Sequence, residues 1–176
     1  AQGDVARGLR DTDAARELAG RLGDQEARCR ALSMAARLHA EAGDSEAAFP
    51  LAEQAVAIAR GLDVPEVLGL ALRAQGYALG FGRDEALENA LVEECLGIWR
   101  ALGNKRREAD EIAGKAANFG NRGRIHDASV LFEEALALHR QVGTRRGEGM
   151  AQGNLALVAL QLGRFQEARR RAKKAA

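Results

Sequence analysis

Aromatic residues make up only 4% of this 176-residue chain, so a hydrophobic fraction of 47% must build its core largely from Ala and Leu. Proline occurs twice and long β-branched runs are missing, which favours helix throughout. Cys29 and Cys95 stand far apart, with no second Cys or His at ligand spacing. They read as packed thiols, not as a disulfide or metal pair, and fit a reducing, cytoplasmic setting. No stretch of about eighteen apolar residues is present, so no membrane span is expected. The first residues lack a charged segment followed by an apolar one, so no signal peptide is expected.

Chemistry-bearing constellations are also scarce. No Ser-His-Asp set, HExxH run or phosphate-binding Gly loop occurs, and Gly80-Phe81-Gly82 follows a helix pattern where such a loop would follow a strand. His39, His126 and His139 fall in three different structural places, with His39 expected as a packed core residue. The pairs Glu93-Glu94 and Glu133-Glu134 recur by repetition and read as solvated surface. The chain is accordingly read as non-enzymatic, with no catalytic residue, no metal site and no cofactor. Its charges nearly cancel, 26 basic against 25 acidic, but unevenly: residues 1–88 carry 10 and 15, residues 89–176 carry 16 and 10. Arg169, Arg170, Arg171, Lys173 and Lys174 crowd the last helix, yet no aromatic stacking residues interleave with the cations, so nucleic acid is not an expected partner.

What the sequence does have is a forty-residue echo. Leu22, Leu62, Leu102 and Val142 keep that interval, as do Gly3, Gly43, Gly123 and Gly163. Two columns hold only small side chains: Ala15, Ala55, Cys95, Ala135 and Ala175, and Ala36, Gly76, Ala116 and Ala156. Such self-similarity describes one supersecondary unit that cannot bury its apolar face alone and is therefore stacked. The small columns let helices approach, while Leu32, Leu72 and Ile112, with Leu18, Ile58, Ile98 and Leu138, are expected to fill the space between them. A bulky group at Ala116 or Ala135 should overpack, at a cost of roughly 1–3 kcal/mol.

Capping residues set the boundaries. Asp24, Asn104 and Thr144 are expected to cap the first helix of each unit, with Asp63 and Pro65 opening the second unit's. Asp4, Asp44 and Asp84 open second helices, and Arg124 and Arg164 take their place later. Gly23, Gly103 and Gly143 close second helices; Gly43, Gly123 and Gly163, and Gly82 in the second unit, close first helices. The spacing predicts nine helices, near 4–22, 24–41, 44–62, 65–80, 84–102, 104–121, 124–142, 144–161 and 164–175. The fold class is all-α, a solenoid of antiparallel helix pairs. One array over 1–176 is expected, with a half unit 1–23 and units 24–63, 64–103, 104–143 and 144–176. It opens on a second helix and lacks polar end caps, so it is expected to be part of a longer array. Phe165, Ala168 and Ala172 would leave 164–176 to fray or to pack on another copy.

Asn154-Leu155-Ala156, then Leu162 to Ala168, resembles a tetratricopeptide (TPR) repeat, as does Gly123 to Ala128 continuing through Phe132-Glu133-Glu134-Ala135-Leu136. The resemblance covers essentially the whole chain, is strongest over 104–172 and weakest over 64–90, where Glu88 replaces the Ala of Ala48, Ala128 and Ala168. The forty-residue period exceeds the family's usual length and is similar to the longer type of bacterial regulatory proteins. The resemblance implies a right-handed superhelix whose first helices line a concave face that binds peptides or partner proteins. It implies no chemistry of its own.

On the first helices one stripe remains outside the core columns: Arg30, Ser33 and Arg37; Leu70, Arg73 and Tyr77; Asp110, Ala113 and Ala117; Met150, Gly153, Leu157 and Gln161. By resemblance it is the concave face. Arg30, Arg37, Arg73 and Tyr77 are expected to anchor a carboxylate or acidic peptide, with Asn154 and Leu157 at an apolar end. The bland alternative is that these are solvated residues paired with Glu41 and its like. Lys and Asn pairs of a carboxylate clamp are absent from the stripe, which disfavours that subclass. The leading reading is a protein- or peptide-binding scaffold in a signalling protein; the alternative is a homo-oligomerisation scaffold that self-associates through its ends.

Overall fold

A computed structural model describes residues 2–79 and 84–175. Among them the chain forms nine helices and no strand: α1 (Gln2–Leu22), α2 (Gln25–Glu41), α3 (Ser45–Arg60), α4 (Pro65–Leu79), α5 (Glu85–Ala101), α6 (Lys105–Asn121), α7 (Ile125–Gln141), α8 (Arg145–Gln161) and α9 (Phe165–Ala175). They form two compact units that divide at Ile98 and Trp99. Gly80, Phe81 and Gly82, including the turn assigned to Gly82, lie outside the described residues.

Local signals account for most boundaries. Asp24, Asp44, Asp84 and Asn104 each accept a backbone N–H three residues on, at 2.9, 3.1, 2.9 and 3.1 Å. Each bond satisfies a first-turn donor that has no partner inside the helix. Gly23, Gly43, Gly103, Gly123, Gly143 and Gly163 all have positive φ, 64° to 81°, a conformation in which a Cβ would be strained.

Three capping expectations fail. Asp4 lies inside the first turn of α1, which starts at Gln2, where its charge suits the helix dipole. Thr144 holds the cap position of α8 but makes no side-chain cap bond; its Oγ1 is buried and unpartnered among the described residues. Val64, not Asp63, precedes Pro65, and its carbonyl accepts from Val67 and Leu68 at 3.0 and 3.3 Å. At Arg124 the expected substitution works through other contacts. Its Nε donates to Asp127 at 2.8 Å, and its guanidinium lies 3.9 Å from the Phe119 ring centroid.

The first unit buries Ala36, Ala48, Ala52, Ala74 and Ala78 together, with Phe49 and Leu51 at the margin. The second centres on Ala116, Ala128, Phe132, Leu136, Ala151, Leu155 and Val158. Leu32, Leu72 and Ile112 are buried as expected. The second-helix stripe is displaced by one residue, because the buried column is Ala19, Ala59, Trp99 and His139. Leu18 is 50% exposed, and Ile58, Ile98 and Leu138 are half-buried. Positions 48, 52, 55 and 59 repeat at four, three and four, which is one helix face; residue 58 turns about 100° away from residue 59.

The small column Ala55, Cys95, Ala135 and Ala175 shares its register with a column the sequence reading passed over, Cys29, Gly69, Ala109 and Gly149. In the first unit Cys29 Sγ lies 3.2 Å from Ala55 O, and Cys95 Sγ lies 3.3 Å from Gly69 O. In the forty-residue register these are the same junction with the roles exchanged: the thiol comes once from the first helix and once from the second. In the second unit Ala109 and Ala135 are both fully buried at that junction, and a Cβ on Gly149 would stand 3.0 Å from Ala175 O. In the two cysteine junctions the thiol is answered by Ala or Gly, which leaves room for it between the paired helices.

Candidate functional site

The sequence-predicted groove residues divide between the units. Arg30, Arg37, Arg73 and Tyr77 stand on α2 and α4, which pack together in the first unit. Each arginine is already engaged. Arg30 donates to Glu26 Oε1 through Nε at 3.0 Å and Nη2 at 2.9 Å. Arg37 pairs with Glu41, and its Nη2 lies 3.0 Å from Met34 Sδ. Arg73 Nη2 donates to the Tyr77 hydroxyl, Oη, at 2.9 Å, with its guanidinium 5.4 Å from the ring centroid, a combined hydrogen bond and cation–π contact. Arg73 and Tyr77 are thus brought together directly, while Arg30 and Arg37 meet carboxylates one turn away on their own helix. All four remain open to solvent in part, Tyr77 by 48%.

In the second unit Leu157 is 60% exposed, Met150 61% exposed, and Asn154 half-buried on α8. Several stripe neighbours do not face a groove. Ser33 is buried and donates to Cys29 O at 2.9 Å. Ala113 and Ala117 pack against the second core, and the end of α9 approaches Gly153, with Ala175 Cβ at 4.0 Å from its would-be Cβ. These positions are one or two turns from an exposed residue, but small or hydroxylated side chains there fit against the adjacent helix.

Glu88, Glu108, Glu111 and His139 are buried, and the sequence reading anticipated none of these burials. His139 is 2% exposed, whereas His39, expected in the core, is only half-buried and faces Asp44 with Nδ1 3.2 Å from Oδ2. Burial holds the His139 imidazolium pKa below its ordinary value, against opposing pulls from Asp110 and Glu148 and with a further push from Arg106. Its Nε2 is 3.8 Å from Asp110 Oδ1, and its Nδ1 is unpartnered among the described residues. The ring rests on Gly147 so closely that a Cβ there would collide with it. In the same register Trp99 is fully buried with Arg107 5.8 Å from its ring, so His139 occupies a tryptophan's place.

Glu108, 8% exposed in its side chain, accepts from Lys105 at 2.8 Å and Arg100 at 2.9 Å. The Lys105 bond, then that from Arg100, holds its carboxyl below the usual range despite burial. Among the described residues no cluster of three or more His, Cys, Asp or Glu could hold a metal ion. No described helix is long and apolar enough to cross a membrane.

Residues 108–176 match the family model for the tetratricopeptide repeat. The fold is similar to the nearly identical TPR-like repeats of a kinesin light chain from Podosopora anserina, at 18% identity and a TM-score of 0.68, over 99% of this chain and 86% of that one. A crystal structure of a point variant of those repeats gives 0.70 with the same identity and coverage. BtubC (BKLC) from P. vanneervenii aligns at 18% identity and 0.56, over 97% of this chain and 89% of that one. No curated protein matches the sequence. At such identities the structural likeness speaks for the fold, an all-α repeat solenoid.

Proposed function

From a chain whose residues 108–176 belong to the tetratricopeptide repeat family and whose fold is that of such repeats, we propose a protein-docking scaffold. It holds an acidic peptide segment on its first helices and works as the interaction part of a bacterial regulatory protein. The observation that carries the reading is the state of the groove arginines. Among the described residues the ion-pair partners of Arg30 and Arg37 are exposed carboxylates on the same helix, Glu26 and Glu41. An exposed pair of this kind contributes roughly 0–1 kcal/mol, so a ligand carboxylate replaces Glu26 or Glu41 at small cost. Tyr77, held against Arg73, adds a flat, half-exposed contact surface beside the charges. Leu157, with Asn154 one turn before it, offers an apolar residue and an amide to a peptide backbone.

Replacing Arg37 and Arg73 together by Ala is expected to weaken acidic-peptide binding while moving stability by less than about 1 kcal/mol. Titrating an acidic peptide library against wild type and double variant checks this. Equal affinities would remove the groove arginines from the reading. A mass that rises with concentration in light scattering, without peptide capture, would favour self-association, in which the 70%-exposed Phe165 is the apolar contact to test first.

A further inference from the structure

On α7 and α9 of the second unit a cleft of about 280 Å³ is lined by Arg140, Glu167, Arg170, Arg171 and Lys174. Its composition departs from the repeat that built it. In the first unit Arg60 at the end of α3 donates to Glu94 of α5 at 3.0 Å, thirty-four residues on. Arg140 holds the register position of Arg60, but the position of Glu94 is Lys174. A salt bridge between successive second helices has become two like charges. Beside it Arg170 stands where the other second helices carry Pro50, Ala90 and Val130, and Arg171 where they carry Leu51, Leu91 and Leu131.

The cations are unequally committed. Arg171 is fixed: it pairs with Glu133 and reaches Gln152 Oε1 at 3.4 Å and Glu167 Oε1 at 3.5 Å. Glu167 is further shared with Arg164 at 3.8 Å. Arg140 has only a 3.8 Å approach to Glu148, and among the described residues Arg170 and Lys174 have no ion-pair partner. Four cations thus line the cleft with one carboxylate, Glu167, while Glu133 and Glu148 reach Arg171 and Arg140 from outside it. The like charges of the cations raise the local positive potential, which an anion entering the cleft offsets.

We infer that this cleft binds a phosphoryl group, carried by a small phosphorylated molecule or by a phosphorylated side chain. The guanidinium forks of Arg140 and Arg170, from two helices, together with the Lys174 ammonium, suit the several oxygens of a tetrahedral dianion better than the two coplanar oxygens of a carboxylate. The cleft's volume lies just below the usual range for ligand pockets, which suits one compact group. A nucleic-acid strand would need a groove that follows successive phosphates.

The test is calorimetric titration of the 176-residue protein, at fixed ionic strength, with sodium pyrophosphate and with a phosphoserine peptide. Lys174→Glu restores the carboxylate that Glu94 supplies to Arg60, and is expected to weaken both ligands by at least about tenfold. Arg60→Ala, in the first unit, is expected to leave both unchanged. Arg170→Gln repeats the measurement should Lys174→Glu melt differently from wild type. Pyrophosphate binding as tight as the phosphopeptide identifies a small-molecule source; a peptide that binds about tenfold tighter, and only when phosphorylated, identifies a side chain. Failure of both probes to saturate, or undiminished binding by Lys174→Glu and Arg170→Gln, overturns the inference. So does an affinity for single-stranded oligonucleotides that climbs with length, since that marks an extended surface.

Discussion

In the first unit the register positions Ala59 and Val67 are filled by two buried apolar side chains; in the second the same positions hold His139 and Gly147. Between them in sequence the solution is Trp99 with Arg107 5.8 Å from its ring. All three keep the helix-pair geometry, so the backbone arrangement does not dictate the chemistry at this junction. It dictates that volume added on one side be removed from the other. The ring of His139 is accommodated because residue 147 has no Cβ, and a titratable group comes to rest where the first unit buries an alanine.

The largest expected effect breaks that compensation. Gly147→Val, the residue the first unit uses, should destabilise by about 3 kcal/mol through collision with the His139 ring. Adding His139→Ala copies the Ala59 and Val67 pair and should recover most of the loss. Urea unfolding of wild type, single and double variants measures both; a double variant no better than the single would show that the junctions are not interchangeable.

A smaller effect separates the junctions by pH. Because the folded His139 pKa is lowered, the unfolded chain takes up a proton that the folded one refuses. Stability from this source is therefore present above the ordinary histidine value of about 6.5 and declines as pH falls below it. Thermal melts across pH 7.5 to about 5.5 should show this decline in wild type and a flatter profile in His139→Leu. Glu108 acts in a separate window. Its lowered pKa gives stability above the ordinary carboxylate value that is lost only at more acid pH.

The smallest effect concerns the surface ladder. Arg60→Ala removes a bridge to Glu94 whose side chains are 58% and 39% exposed, and should cost about 0.5 kcal/mol or less. A loss above about 1 kcal/mol in urea unfolding would mean that the first unit depends on its exposed bridges more than their solvation allows.

The parts of the fold legible in the sequence are those one residue decides. Asp24, Asp44, Asp84 and Asn104 cap because a short acceptor reaches its own first turn, and the six positive-φ glycines mark turns for a similarly local reason. The family match over 108–176 falls where the repeat pattern is cleanest. The displaced core stripe was harder to read, because Ile58 and Ala59 are adjacent and only the opposing helix decides which is covered. Hydrophobicity favoured the larger residue; the helix face favoured the alanine.

The candidate site was legible as exposed arginines, and their pairing with Glu41 and its like as the alternative reading, whereas the Arg73–Tyr77 contact was not. The four-residue spacings Glu26 to Arg30 and Arg37 to Glu41 carried the signal for the ion pairs. Ser33, Ala113 and Ala117 share the stripe's spacing but turn inward, since small side chains do not announce which wall they touch. Comparing Glu94 and Glu134 with Lys174 down one column would have exposed the cationic cleft.

The exchanged thiols have a consequence for following the molecule in solution. Cys29 and Cys95 both belong to the first unit, each sealed at a helix junction, and burial pushes the Cys29 thiol pKa up. The nucleophilic form is the thiolate, so an alkylating reagent must wait for the junction to part. Two clocks in one unit, none in the other: modification timed by mass spectrometry registers the breathing of residues 1–98 at two successive helix pairs, against a second unit that contributes no signal at all.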